Sequence, residues 1–170
     1  MAEPETEGPS ETEGEGPSKT ARPPKTCYQR AVDLLSRRAH FTAELRFKLR
    51  QRGFDDPEID GVMLRLGEEG YVDDVETAHL WLEQQLRRKP QGPSKLLAGL
   101  LRRGVDGEIA RDAVRELVDR REPELIEEAL ERRLARSGSH SEAALARHLD
   151  RLGFRAGAVL RAVRKRRTKA

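Results

Sequence analysis

Cysteine, aromatic residues and long apolar runs are all scarce in this chain, and each scarcity excludes something. Cys27 is the only cysteine among 170 residues, so no intramolecular disulfide can form. Aromatic residues make up 4% of the sequence, so the core must be built from Leu, Val, Ile and Ala. No apolar run approaches the roughly 20 residues that a membrane-crossing helix needs. The first 20 residues are acidic and lack the apolar stretch of a secretory signal. A soluble, cytoplasmic chain without membrane contact is the expectation.

Catalytic signatures are missing too. There is no Gly-rich phosphate loop, GxSxG, HExxH or CxxC. His40, His79, His140 and His148 are scattered, and the last two are too far apart in sequence for a metal pair one helical turn apart. Asp73-Asp74 reads as a helix cap with a dipole partner rather than a metal site. Cys27 reads as a small core residue. No enzyme, cofactor or metal is expected.

Charge, by contrast, is abundant: 37% of the residues are Asp, Glu, Lys or Arg, with a net charge of +3. Residues 1–20 hold six glutamates against Lys19, a net of −5, which leaves +8 for residues 21–170. The last ten residues contain Arg161, Arg164, Lys165, Arg166, Arg167 and Lys169 without an acid. A basic body with an acidic arm is what a phosphate-binding surface looks like, and Arg- and Glu-rich solvated helix faces give similar totals. Residues 1–25 are mostly Glu, Gly, Pro, Ser and Thr and cannot offset their ordering entropy, so they read as a disordered leader.

The rest of the chain repeats itself three times. Thr42–Leu66, Pro93–Leu117 and Ser141–Arg164 each place two leucines four apart, a glycine four residues later, a hydrophobic residue, and a second helical stretch. The equivalent positions are Leu45/Leu96/Leu145, Leu49/Leu100/Leu149, Gly53/Gly104/Gly153 and Phe54/Val105/Phe154, with Met63, Val114 and Val163 following. One helical unit used three times points to an extended surface rather than a single pocket.

The predicted fold is all-α: three tandem three-helix repeats in an elongated, curved body, over residues 26–72, 73–121 and 122–170, the last with a basic tail. Cys27, Ala31, Leu34, Leu35 and Arg38 mark the first helix. Thr42 is the expected N-cap of the second, and Gly53 its left-handed stop. Asp56-Pro57 opens the third, whose core face is Ile59, Val62, Met63 and Leu66. Asp73 and Glu76 form a capping box, followed by Val75, Ala78, His79, Leu82 and Leu86 on one face. Gln91-Gly92-Pro93-Ser94 reads as a break, Pro123 as a helix start, and Ser137-Gly138-Ser139 as a flexible joint.

The helix–Gly–helix rhythm has something of a helix-turn-helix. However, two of the would-be recognition helices begin Asp56-Pro57-Glu58 and Asp106-Gly107-Glu108, acidic where a base edge would lie. The middle helices are better candidates. Arg46 and Arg50 flank the Leu45/Leu49 stripe and Phe47 lies opposite it, either as a contact residue or packed on a neighbouring helix. Arg102 and Arg103 end the corresponding helix of the second unit. With Arg87, Arg88 and Lys95, these eight residues form the candidate surface for a protein or nucleic-acid partner.

AELRFKL (43–49) with Arg52-Gly53-Phe54, then GYVDD (70–74) with Ala78 and Trp81, then GPSKLLAGLLRRGV (92–105), resembles the RecX family of bacterial regulatory proteins. The resemblance covers about residues 27–165. The third unit diverges, and the acidic leader and Gly99 inside a helix depart from the pattern. The resemblance implies tandem three-helix units without enzymatic activity. It also implies a monomer that binds the RecA recombinase on single-stranded DNA, restraining filament extension, ATP hydrolysis, strand exchange and coprotease activity. Family members bind DNA as well. The competing reading of the residues is a stand-alone nucleic-acid-binding protein whose helical units contact phosphates.

Overall fold

Apolar residues at helical spacing, broken by glycine and capped by short polar side chains, give nine α-helices and one 3₁₀ turn among the described residues. No strand occurs among the described residues, 25–137 and 141–167, of this computed structural model. The helices are α1 Cys27–Leu35, α2 Thr42–Arg50, α3 Asp56–Glu68, α4 Asp74–Arg88 and α5 Pro93–Leu101. They continue with α6 Gly107–Leu117, α7 Glu122–Ser137, α8 Glu142–Leu152 and α9 Ala156–Arg167; the 3₁₀ turn Asp119–Arg121 links α6 to α7. They form three consecutive three-helix units. The acidic leader and the joint expected around Gly138-Ser139 lie outside the described residues.

Caps account for most of the helix starts. Thr26 and Gln29 form a capping box on α1. The Asp73 carboxylate accepts from the Val75 and Glu76 N–H groups at 2.8 and 3.0 Å. Among the described residues no bond returns from Glu76 to Asp73, so that cap is one-sided. Two starts differ from expectation. Asp55, not Asp56, caps α3, accepting from the Glu58 N–H at 2.9 Å, while Asp56 and Pro57 sit inside the first turn. Thr42 is the first residue of α2 rather than its cap. The cap position belongs to Phe41, which is buried, and the Asp74 carboxylate of the next unit accepts the Thr42 N–H at 2.8 Å. An aromatic needed in the core has taken the capping position, and a tertiary contact satisfies the orphan donor. On α4, Ala78, Leu82 and Leu86 are buried as expected, with Thr77. Val75 is exposed, and His79 turns to Glu116, 3.3 Å away.

The three turn glycines share one geometry, with φ of +87° at Gly53, +77° at Gly104 and +85° at Gly153. A Cβ is disfavoured there, and the left-handed residue lets the chain reverse and bury the hydrophobic residue that follows. Val105 and Phe154 are both buried, and their N–H groups return to Leu100 and Leu149.

The three units build two cores. Cys27, Ala31, Leu34, Leu45, Leu49, Ile59, Met63 and Leu66 form the core of the first unit. The second and third share a continuous core that includes Leu82, Leu96, Leu100, Val114, Ile126, Leu130, Leu149 and Phe154, and Phe41 of the first unit inserts into it. Small units gain by this fusion, because neither alone encloses much apolar surface.

Both joints use the same contact. The turn glycine of one unit lies against the first turn of the middle helix of the unit before it. A Cβ on Gly104 would sit 2.5 Å from that of Ala43; one on Gly153 would sit 2.5 Å from the Lys95 Cβ and 2.6 Å from its backbone nitrogen. At the second joint the Gly92 N–H donates to the Leu152 carbonyl at 2.8 Å, and the Ser94 N–H donates to that of Gly153 at 3.1 Å. A Cβ on Gly92 would lie 2.2 Å from the Gly153 backbone. The expected break at Gln91-Gly92-Pro93 is therefore a buried seam between units. Arg155 reinforces it, its guanidinium 2.6 Å from Asp119 and 3.4 Å from the buried Glu122.

The turn glycines should therefore differ in their response to alanine. A Cβ on Gly53 meets nothing within 4 Å, so Gly53→Ala should cost only the dihedral strain, about 1 kcal/mol. Gly153→Ala adds overpacking against backbone and should cost about 1–3 kcal/mol more. Urea unfolding of the two variants measures this, and equal losses would contradict the joint contact.

Candidate functional site

The joint between the first two units opens a cleft of about 880 Å³. Its walls are the α1–α2 connection (Arg38, Ala39, Phe41) with Glu44 of the first turn of α2, one face of α4 (Thr77, Leu80, Trp81, Gln84, Gln85, Arg87, Arg88) and the residues that follow α5 (Arg102, Arg103). Four of the eight candidate residues, Arg87, Arg88, Arg102 and Arg103, thus come together. Arg38 and Trp81, not among the candidates, join them. Arg38, expected on the first helix, lies past its end at Leu35 in the α1–α2 connection, and only the docking of the second unit brings it into the cleft.

The other four candidates lie elsewhere. Arg46 pairs with Asp60 and Arg50 with Asp56, each at 2.5 Å, so both are drawn toward α3. Phe47 is 57% exposed, which leaves it on the outer face of α2 rather than packed on a neighbour. Lys95 belongs to the second joint: its Cβ faces Gly153 and its Nζ is 3.4 Å from the Arg151 carbonyl.

Gly99 explains how the lone tryptophan is seated. A Cβ there would lie 2.5 Å from the Trp81 ring, so the missing side chain makes the slot in which the indole rests. Arg103 covers the ring with its guanidinium 4.6 Å from the centroid and donates to the Gly99 carbonyl at 3.0 Å. This is a cation–π contact with its cation at the cleft wall.

Five arginines face two glutamates in the cleft. Glu83 is 3.5 Å from Arg87, one helical turn away. Glu44 bonds to Arg38 and lies 3.3 Å from His40 and 3.8 Å from Lys48. Burial pushes the Glu44 carboxyl up, but the hydrogen-bonded Arg38 guanidinium and the nearby His40 imidazole outweigh it and hold it below the usual range. Arg88 and Arg102 have no acidic partner among the described residues. Such a surface can bind carboxylates or phosphates through guanidinium forks. No group of His, Cys, Asp and Glu that could hold a metal occurs among the described residues. No helix among them is long and apolar enough to cross a membrane.

Comparison with known proteins identifies the family of this repeat. The model described as the first three-helix domain of RecX matches residues 27–66, and that for the second three-helix domain matches residues 73–114. The regulatory protein RecX of Amycolatopsis mediterranei is 37% identical over 138 residues, covering 78% of this chain and 77% of that one. The chain belongs to the RecX family. The RecX of Thermobifida fusca is 34% identical over 150 residues, covering 84% and 81% of the two chains. The crystal structure of RecX from Lactobacillus salivarius superposes with a TM-score of 0.69 at 20% identity over 82% of this chain and 93% of that one, a likeness of fold. The family is one of regulatory proteins, and the RecX fold is what holds the cleft open here.

His40 is buried in the α1–α2 connection, 3.3 Å from Glu44. Burial lowers its pKa below the ordinary 6.5, with Glu44 working in the opposite sense. The folded state thus favours neutral His40. Its contribution is fully present above the unfolded pKa and is lost as the pH falls from about 6.5 toward the lower folded value. At the second joint the equivalent buried residue is Gln91. His40→Gln should flatten stability across that window while leaving losses at lower pH, which melting curves at a series of pH values will read.

Proposed function

We propose that this RecX-family chain restrains the RecA recombinase by binding its filament on single-stranded DNA, with the cleft at the first joint as the contact surface. The observation that carries the site is the arginine excess beside Trp81 and the exposed Leu80, in a cleft that exists only because two units are docked. Guanidinium groups there meet recombinase carboxylates or the phosphates of the bound strand. Three units joined end to end suit a target that repeats, because each further contact is intramolecular and adds avidity. A chain bridging neighbouring subunits holds them in one arrangement. Filament extension, ATP hydrolysis, strand exchange and coprotease activity then fall together. Arg46, Phe47 and Arg50 form a secondary outer patch, weaker because both arginines are already paired with α3.

The assay is RecA-dependent ATP hydrolysis on single-stranded DNA, titrated with wild type, Arg88→Glu/Arg102→Glu and Arg46→Glu/Arg50→Glu. Wild type inhibits. The cleft variant should need about tenfold more protein, a loss of about 1.4 kcal/mol, and the outer-patch variant should stay close to wild type. Absence of inhibition by folded wild type removes the function. Equal potency of the cleft variant removes the site.

A further inference from the structure

The strongest charge contrast in this chain is internal. Glutamates stand at positions 3, 5, 7, 11, 13 and 15, and Lys19 is the only cation among residues 1–20. The segment repeats itself, as Glu5-Thr6-Glu7-Gly8 and Glu11-Thr12-Glu13-Gly14. In an extended chain alternate side chains share a side, so each repeat presents two carboxylates about 7 Å apart. No large hydrophobic residue occurs between Met1 and Cys27, so charge is the only means by which this segment can hold to the body. At the first joint, Arg88 and Arg102 face the cleft and have no acidic partner among the described residues.

We propose that the acidic leader docks in the cleft of its own chain and must be displaced before an anionic partner surface enters. The junction with the body favours this occupant. Lys25 pairs with Asp33 on α1. Eight residues of helix span about 12 Å, so Lys25 lies against the flank of α1. Its side chain is directed toward the α1–α2 connection, where Arg38 edges the cleft. The ten residues from Glu15 to Lys25 reach at most about 36 Å, and α1 is about 14 Å long. The smaller pocket of about 150 Å³ at the second joint has Lys89 and Arg136 where the first has Arg38 and Arg88, but it lies one unit further along. Held by charge alone, the leader yields to a target that offers many contacts at once and shields the cleft from one that offers few. Control of recombinase binding in this way rests on the function proposed above; occupancy of the cleft by the leader does not.

The test uses the full chain with a nitroxide attached through Ser10→Cys; the native Cys27 is buried and stays unlabelled. Trp81 is the only tryptophan and lines the cleft, so its emission reports contact with the label. The label should quench that emission independently of protein concentration, and about 1 M salt should relieve the quenching by screening. Glu11→Gln/Glu13→Gln/Glu15→Gln, which leaves the folded body untouched, should relieve it too, as should Arg88→Gln/Arg102→Gln. Without the label, fluorescent decaglutamate should bind the leader variant about tenfold more tightly than wild type, the factor that a tether at millimolar effective concentration supplies. Unquenched Trp81 in the labelled wild type, or equal decaglutamate affinity for the two chains, would overturn the proposal. So would quenching that survives loss of both arginines. Quenching that fades on dilution would place the leader in the cleft of a second copy and overturn the internal contact. Neither readout contains recombinase, so a failure here is distinct from a failure of the inhibition assay.

Discussion

The close approach of a turn glycine to the preceding unit is the contact from which the rest of the molecule follows. At Gly153 the neighbour is the Lys95 backbone, and at Gly104 it is Ala43. Neither position has room for a Cβ, so the middle helix of one unit and the turn of the next seat in one register. That seating merges the cores of the second and third units and carries Phe41 into them. It also leaves a groove beside each joint. The pockets are by-products of docking, which is why neither lies inside a single three-helix unit.

Partners sort the arginines into classes that composition alone cannot separate. Arg46, Arg50 and Arg155 are engaged with acids of neighbouring helices and hold the fold. Arg103 is laid on Trp81. Arg88 and Arg102 face the first cleft without an acid, and Lys89 and Arg136 hold the matching edge of the second. Exposed pairs of the first kind contribute little each, about 0–1 kcal/mol. The unpaired group is where a polyanion or an acidic surface gains most.

Local features were legible in the sequence. The triple repeat, the positive φ of its turn glycines, the Asp73 cap and the Leu45/Leu49 stripe each follow from spacing and residue type. Features that depend on how units meet were not. Arg38 and Arg88 belong to different units, and no periodicity brings them together. Phe41 displaces Thr42 as a cap because a distant core needs it, and Gln91-Gly92-Pro93 has the composition of a linker while serving as a seam. Gly99 looked like a departure from the helix pattern until the indole of Trp81 accounted for it.

Co-sedimentation tests the central claim most directly, with RecA filaments on single-stranded DNA set against the same DNA alone. The salt is raised until the naked strand no longer carries the protein down. The account predicts that the chain still pellets with filaments, saturably and in proportion to recombinase, because contacts to repeated subunits add to those with phosphate. A chain released from filaments at the same salt that frees it from bare DNA would contradict it.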